Sequence, residues 1–182
     1  MDDKRRRFEA QVLPLLDAAY SFARWLAPSA ADADDVLQEA VLRAFRGFEG
    51  LRGRDVKAWL LAIVRNCHYT AHRQRQRRAT MPLPEEGEAQ TQVPPLTADT
   101  PDPESAAIRA DEVRSLERVL ATLPAEFREV LILREIEDLS YREIAAVTEV
   151  PIGTVMSRLA RARAALRGQW LQSVEGQPRV VP

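Results

Sequence analysis

Apolar residues recur every three or four positions along most of the chain, and this spacing predicts α-helices. In the N-terminal part, one helix carries apolar positions from Leu15 to Leu26 and a second carries them from Val36 to Phe48. A third helix begins near Val56. The residues of this third helix predicted to face the core are Trp59, Leu60, Ile63, Val64, Cys67 and Ala71. No stretch shows the sustained two-residue alternation of a β-strand, so the predicted fold class is all-α.

The C-terminal part has the spacing of a helix-turn-helix. A helix that stops at Pro124 is followed by another from Phe127 to Leu133. Ser140 and Glu143 then predict a capping box at the start of a short helix, and after a tight turn a last helix ends before Gly168. A short helix, a turn and a longer helix are typical of a DNA-reading pair.

Proline and charge divide the 182 residues into segments. Residues 79–107 contain no Lys or Arg, six acidic residues and six of the twelve prolines. Such a segment cannot bury enough apolar surface to offset its ordering entropy. We therefore predict two small helical domains, over residues 1–78 and 108–170, joined by a flexible acidic linker over residues 79–107 and followed by a tail over residues 171–182.

Several kinds of protein and site are excluded by what the chain lacks. The most apolar early stretch, Val12 to Leu26, contains charged residues, so neither a signal peptide nor a membrane insertion is expected, and the chain should be cytoplasmic. Cys67 is the only cysteine, which excludes an internal disulfide. Cys67, His68 and His72 lack a fourth ligand, so we expect no metal site. No phosphate-cradling loop is present, so we expect no nucleotide hydrolysis, no cofactor and no enzymatic activity.

The predicted outer side of the third helix is basic. Between Arg65 and Arg78 there are five arginines and no acid. The side chains predicted to project on this side are Arg65, Tyr69, His72, Arg73 and Gln76. A basic strip with an aromatic residue suits phosphate neutralisation and base stacking. The alternative is an arginine-rich helix end that complements the helix dipole and keeps the surface solvated.

The last helix has a narrow core face, so its exposed face can be deduced. The core-facing residues are Val155, Leu159, Ala162 and Leu166. If the helix enters a major groove, Ser157 and Arg161 are the polar base readers, and Met156 and Ala160 can meet thymine methyl groups. The flanking arginines suited to phosphates are Arg158, Arg163 and Arg167. The alternative is a terminal packing helix with a basic surface.

Three motifs together resemble the extracytoplasmic-function (ECF) subfamily of bacterial sigma factors. They are Asp34-Asp35-Val36-Leu37-Gln38-Glu39, Trp59-Leu60 with Asn66 seven residues after the Trp, and Gly153-Thr154-Val155-Met156-Ser157-Arg158-Leu159-Ala160-Arg161-Ala162-Arg163. The resemblance covers both helical parts in order, around a variable linker. It implies that the first part corresponds to sigma region 2 and the second to sigma region 4.

The resemblance also implies partners and site residues. The second helix would dock on the β′ clamp helices of core RNA polymerase through Asp34, Asp35, Gln38, Glu39, Leu42 and Arg43. From the pattern alone, this face could equally be a solvated helix surface. The melted −10 element would meet Arg65, Asn66, Tyr69, His72 and Arg73, with a flipped base near Asn66. Region 4 would touch the β flap and contact the −35 element of promoter DNA through Thr154, Met156, Ser157, Arg158, Ala160, Arg161 and Arg163.

The predicted function is that of an ECF sigma factor, which binds core polymerase, directs it to promoters and helps open the −10 element, and which an anti-sigma factor holds inactive. Two alternatives stay open. One is a helix-turn-helix regulator independent of polymerase, and the other is a sigma mimic that sequesters an anti-sigma factor. Thr70, Glu149, Met156 and Ala160 depart from the residues common in the family. At Glu149, where glycine is frequent, the resemblance implies a left-handed residue at a cost of order 1 kcal/mol.

Overall fold

Every regular element of the described residues is helical, which confirms the all-α prediction. The computed structural model describes residues 2–51, 55–79, 116 and 118–175. The first lobe consists of α1 (Asp2–Val12), α2 (Leu16–Leu26), α3 (Ala30–Gly47) and α4 (Val56–Ala79). The second lobe consists of α5 (residues 118–122), α6 (Ala125–Leu131), α7 (Tyr141–Thr148) and α8 (Ile152–Glu175). The predicted linker beyond Ala79 and the end of the tail, residues 176–182, lie outside the described residues.

Side-chain caps fix where the two long helices of the first lobe begin. The Ser29 hydroxyl accepts a hydrogen bond from the backbone N–H of Asp32 at 3.1 Å, at the start of α3. The Asp55 carboxylate accepts one from the backbone N–H of Ala58 at 2.8 Å, at the start of α4. Each cap satisfies a donor that the first turn of a helix leaves unpaired, and the loss of such a cap costs about 1 kcal/mol.

The apolar spacing predicts no helix before Leu15, yet the structure has a helix there, α1. Only Phe8 and Val12 of α1 are buried, which is too few apolar positions to show a period. The edge of the Phe8 ring packs against Phe45 and Phe48, with ring centroids 5.1 and 5.4 Å apart. A tertiary contact therefore orders this basic helix.

The helix-turn-helix has the predicted cap and turn. The Glu143 side chain accepts from the Ser140 backbone N–H at 2.7 Å, and the Glu143 backbone N–H donates to the Ser140 hydroxyl at 3.3 Å, so the capping box is confirmed. Glu149 ends α7 in the left-handed conformation, with φ 57° and ψ 36°. The last helix is longer than predicted: it continues through Gly168 to Glu175. A glycine costs a helix only about 1 kcal/mol, which does not stop a helix that is packed on one side.

The two lobes pack against each other. Helix α7 lies on α4, and α6 contacts α2. The buried apolar residues of the two lobes form one continuous cluster, which includes Leu60 and Leu61 of α4 and Leu131 and Ile144 of the second lobe. This contact brings the second lobe onto the helix that carries the predicted nucleic-acid strip.

Candidate functional site

The exposed face of α3 holds the residues predicted to bind polymerase. Asp34, Asp35, Gln38 and Arg43 are exposed, and Glu39 is half-buried and accepts from the Arg43 guanidinium at 2.6 Å. The opposite face of α3 is buried through Ala33, Val36, Ala40 and Ala44. Leu42 lies within the charged face and is 47% exposed. A large apolar side chain in that position is available to a partner.

On α4, the structure divides the predicted −10 residues into two sets. His72 and Arg73 are exposed, as predicted, and Asn66 is exposed as well. Arg65 and Tyr69 were predicted to project into solvent, and for these two residues the prediction was wrong. The Arg65 side chain is only 16% exposed, and its guanidinium lies over the Tyr69 ring at 4.8 Å from the centroid. Tyr69 is half-buried, and burial raises the pKa of its hydroxyl. The second lobe is what covers both side chains.

Two glutamates of the second lobe reach cations of α4, and sequence reasoning missed both. The Arg65 Nε donates to Glu129 Oε1 at 2.6 Å, and the Glu129 side chain is 1% exposed. Lys57 Nζ lies 2.9 Å from Glu137 Oε2 and also donates to the Glu137 backbone carbonyl at 2.7 Å. The Glu137 side chain is 4% exposed. One signal was present in the sequence: Glu129 shares the apolar face of its helix with Ile132 and Leu133, three and four residues later.

Burial dominates the electrostatics of this contact. It raises the pKa of Glu129 above its usual value, although the Arg65 guanidinium acts in the opposite direction. Arg158 of α8 also lies close enough to favour the charged form of Glu129. Removal of the carboxylate from water thus outweighs the opposing effect of the two arginines, and the net shift of the pKa is upward.

His68 lies at the same junction, on the side of α4 where the sequence predicted no core residue. Burial, together with charge repulsion from His72, Arg75 and Arg128, lowers the pKa of His68 to about 4. Beside it, a cavity of about 310 Å³ lies between α2, α4 and α6 and is lined in part by Trp25, Tyr69 and Arg128. The imidazole is therefore held neutral where the lobes meet.

Cys67 points away from this junction, into the core of the first lobe, as predicted. Burial raises the pKa of its thiol. Within the part of the chain that the structure describes, no group of three or more His, Cys, Asp or Glu side chains is arranged to hold a metal ion. In the same part, no helix is long and apolar enough to cross a membrane.

Helix α8 presents its predicted face to solvent. Met156, Ser157, Ala160 and Arg161 are all exposed, while Val155, Leu159 and Ala162 are buried. The flanking residues differ among themselves: Thr154 and Arg158 are half-buried, and the Arg163 guanidinium donates to Glu135 at 2.6 Å. Arg167 is exposed. The four central side chains are thus exposed to solvent, and the Ser157 hydroxyl donates to the backbone carbonyl of Thr154 at 3.0 Å.

Comparison with known families accounts for both lobes. The profile of Sigma-70 region 2 matches residues 12–78, and the profile of Sigma-70, region 4 matches residues 114–166. The ECF RNA polymerase sigma factor SigW of Bacillus subtilis is 30% identical over 157 residues, covering 84% of this chain and 83% of that protein. The RNA polymerase sigma-H factor of Pseudomonas aeruginosa is 32% identical over 170 residues, covering 89% and 85%. The ECF RNA polymerase sigma factor SigE of Mycolicibacterium smegmatis is 36% identical over 151 residues, but the match spans only 56% of that protein.

Solved structures agree with these matches. The sigma factor RpoE of Bartonella quintana, in complex with the anti-sigma factor NepR, superposes with a TM-score of 0.73 at 28% identity, covering 90% of this chain and 96% of that one. CnrH, in complex with the cytosolic domain of CnrY, shares the fold with a TM-score of 0.62 at 24% identity, covering 91% and 88%. Since both lobes match in order and the relatives are matched over most of this chain, the chain belongs to the ECF group of the sigma-70 family of bacterial RNA polymerase sigma factors.

Proposed function

We propose that this chain is an alternative sigma factor that binds core RNA polymerase through α3, reads the −35 element with α8 and opens the −10 element with α4. Each of the three roles is assigned to the helix whose exposed face suits it. The α3 face is mixed in charge with an apolar centre, the α8 face combines basic, polar and apolar side chains, and the outer side of α4 is rich in arginine. Domain bounds of 1–78 and 108–170, with a linker between them, belong to this proposal.

One observation carries the polymerase-binding role. Leu42 is 47% exposed in the middle of the α3 face, although the same helix buries four other apolar positions. A regulator that acts through its helix-turn-helix alone has no use for this surface. A protein–protein contact does, because an apolar anchor ringed by charged residues is a usual composition for the centre of an interface.

Charge reversal on this face tests the proposal. We expect Asp35→Lys combined with Glu39→Lys to weaken binding to core RNA polymerase at least about tenfold, or about 1.4 kcal/mol, because the docking charges change sign. Leu42→Ala should have a similar effect through loss of the anchor. Binding is measured by titrating fluorescently labelled protein with sigma-free core polymerase.

The matched controls are Asp17→Lys, an exposed acid on α2, and Leu13→Ala, an apolar residue as exposed as Leu42. Both should bind core polymerase as the unaltered protein does. If the α3 variants bind equally well, the docking role of α3 is wrong.

Opening of the −10 element would be driven by binding alone. Unstacking a base step costs a few kcal/mol, and each base stacked on an aromatic side chain returns about 1–3 kcal/mol. Tyr69 offers such a ring, and Asn66, His72 and Arg73 lie exposed on the same helix. The protein would thus contribute no catalytic step of its own, and it would act in the cytoplasm with the polymerase.

An anti-sigma factor is the further partner that we propose. The support is the likeness of this chain to the Bartonella quintana sigma factor, whose structure was solved with its anti-sigma factor NepR. A protein that clasps both lobes would keep α4 and α8 from promoter DNA. On α8, Met156 and Ala160 would set a −35 base preference of their own, since both lie on the exposed face.

A further inference from the structure

We propose that the cavity between α2, α4 and α6 binds a small aromatic carboxylate, with Arg128 holding the carboxylate group and Trp25 and Tyr69 contacting the ring. None of the residues that line this cavity belongs to the three motifs of the family resemblance. The inference goes beyond the proposed function, because it depends on no contact with polymerase or promoter DNA.

The cavity has the size and the walls of a site for a small molecule. Its volume is about 310 Å³, at the lower end of the range of roughly 300–1,000 Å³ that is usual for ligand sites. A cavity of about 150 Å³ already accommodates benzene, so there is room for one ring with a polar substituent. Trp25 and Tyr69 line the cavity together with Leu26 and Pro28. Two aromatic side chains and two aliphatic ones favour a planar, apolar ligand body.

A single cation determines which polar group the ligand carries. Among the described residues that line the cavity, Arg128 is the only Lys, Arg, Asp or Glu. Arg128 is half-buried, and burial lowers the pKa of its guanidinium. The Tyr69 hydroxyl acts in the opposite direction, but no carboxylate of the described residues is among the groups that offset this cost. A carboxylate on the ligand would do so, through two parallel hydrogen bonds to the guanidinium.

A second polar group without a partner belongs to the same cavity. His68 lines the cavity and is 8% exposed, and its Nδ1 has no hydrogen-bond partner among the described residues. Nearly all buried polar side-chain atoms have a partner, so an unpaired one indicates a group that the chain does not supply. The imidazole is neutral because its pKa is about 4, and it therefore does not compete with Arg128 for the anion.

A free phosphate ion suits the cavity less well than an aromatic carboxylate. One guanidinium does not balance the charge of a phosphate, and the site offers no second arginine or lysine. The ion would also leave the apolar walls facing water. The single cation and the aromatic walls together favour one negative charge on a ring.

An NMR titration of the full-length protein with sodium benzoate, at constant ionic strength, tests the site. The chain contains three tryptophans, at positions 25, 59 and 170, and each gives one indole N–H signal in a ¹H–¹⁵N spectrum. The signal of Trp25 is identified by its loss in Trp25→Phe. We expect benzoate to shift this signal saturably, with a Kd of about 0.1–1 mM, as is reasonable for nine heavy atoms. Benzyl alcohol lacks the charge and acetate lacks the ring, and both should bind at least about tenfold more weakly.

Two variants and one control locate the binding. Arg128→Gln should weaken benzoate binding at least about tenfold and remove the preference for benzoate over benzyl alcohol, which a general loss of structure would not do selectively. Ala125→Phe places a ring at an exposed position on the rim of the cavity and should block every probe. Arg142→Gln removes an exposed arginine of α7 that does not line the cavity, and it should bind benzoate as the unaltered protein does. If circular dichroism shows that one variant is unfolded, the other one and the probe comparison decide.

The outcomes are distinct. A saturable shift of the Trp25 signal that is lost in Arg128→Gln and in Ala125→Phe supports the site. No saturable shift up to about 5 mM benzoate, or a shift that both variants retain, overturns it. Acetate or inorganic phosphate that binds as tightly as benzoate overturns the assignment of an aromatic ligand. None of these results bears on the proposed function, because the titration contains neither polymerase nor DNA.

Discussion

At the scale of single residues, Glu149 shows how the fold tolerates a glutamate where glycine is frequent in the family. It lies in the turn between α7 and α8 with φ 57°, a conformation that residues other than glycine and asparagine rarely adopt. Its backbone N–H still caps α7 by donating to the carbonyl of Ala145. The turn keeps its geometry because the cap and the packing of both helices outweigh the local strain.

Replacing Glu149 with glycine should therefore stabilise the protein. We expect Glu149→Gly to raise the free energy of unfolding by about 0.5–1 kcal/mol, because the strain is relieved at a position where glycine pays no steric penalty. Urea unfolding followed by circular dichroism measures the change. The control is Ala146→Gly in the exposed interior of α7, which should lower the same quantity by about 1 kcal/mol. A destabilised Glu149→Gly variant would show that the turn carries no strain.

At the scale of helices, α8 and α4 show what local periodicity can and cannot predict. Helix α8 packs on one side only, so its apolar residues fixed the core face and, by elimination, the exposed Met156, Ser157, Ala160 and Arg161. Helix α4 is packed on two sides. Leu61 and His68 are buried in addition to the predicted face, and Arg65 is covered. A contact with a segment more than sixty residues away in the sequence does not change the local spacing of apolar residues. Periodicity therefore cannot predict it.

The buried position of His68 in α4 predicts a dependence on pH. Its pKa in the folded protein is about 4, against 6.5 for an unperturbed histidine, so the unfolded chain binds more protons between these values. Stability from this group is complete above pH 6.5 and is lost as the pH falls toward 4. We expect the free energy of unfolding at pH 5.0 to be about 1–2 kcal/mol lower than at pH 7.5 through His68.

The comparison that isolates this effect is urea unfolding of the unaltered protein, His68→Gln and His72→Gln at both pH values. Glu129 acts in the opposite direction, because its pKa is raised, so only the difference between proteins is informative. His68→Gln should lose less free energy of unfolding between pH 7.5 and pH 5.0 than the unaltered protein does. His72→Gln, which removes an exposed histidine of the same helix, should lose as much as the unaltered protein. Equal losses in all three proteins would contradict the assignment.

At the scale of the whole molecule, the second lobe covers one part of the first lobe and leaves another part exposed. The α3 face proposed to dock on polymerase, with Leu42, is exposed, whereas the second lobe covers Arg65 and Tyr69 on α4. The surface proposed to bind polymerase is thus accessible in the packed arrangement. The fold class, the capping box and the exposed faces of α3 and α8 could all be predicted from the sequence. The contact between the lobes could not, because it depends on Glu129 and Glu137, whose partners lie 64 and 80 residues away.

The most direct test of the central claim is transcription with purified components. The full-length protein is mixed with sigma-free core polymerase and a supercoiled library of the encoding organism's genome, and the 5′ ends of the transcripts are sequenced. We expect discrete start sites that share −35 and −10 sequences and that disappear with the combined Asp35→Lys and Glu39→Lys variant. Polymerase that does not bind the protein, or start sites that are the same without it, would contradict the assignment as a sigma factor.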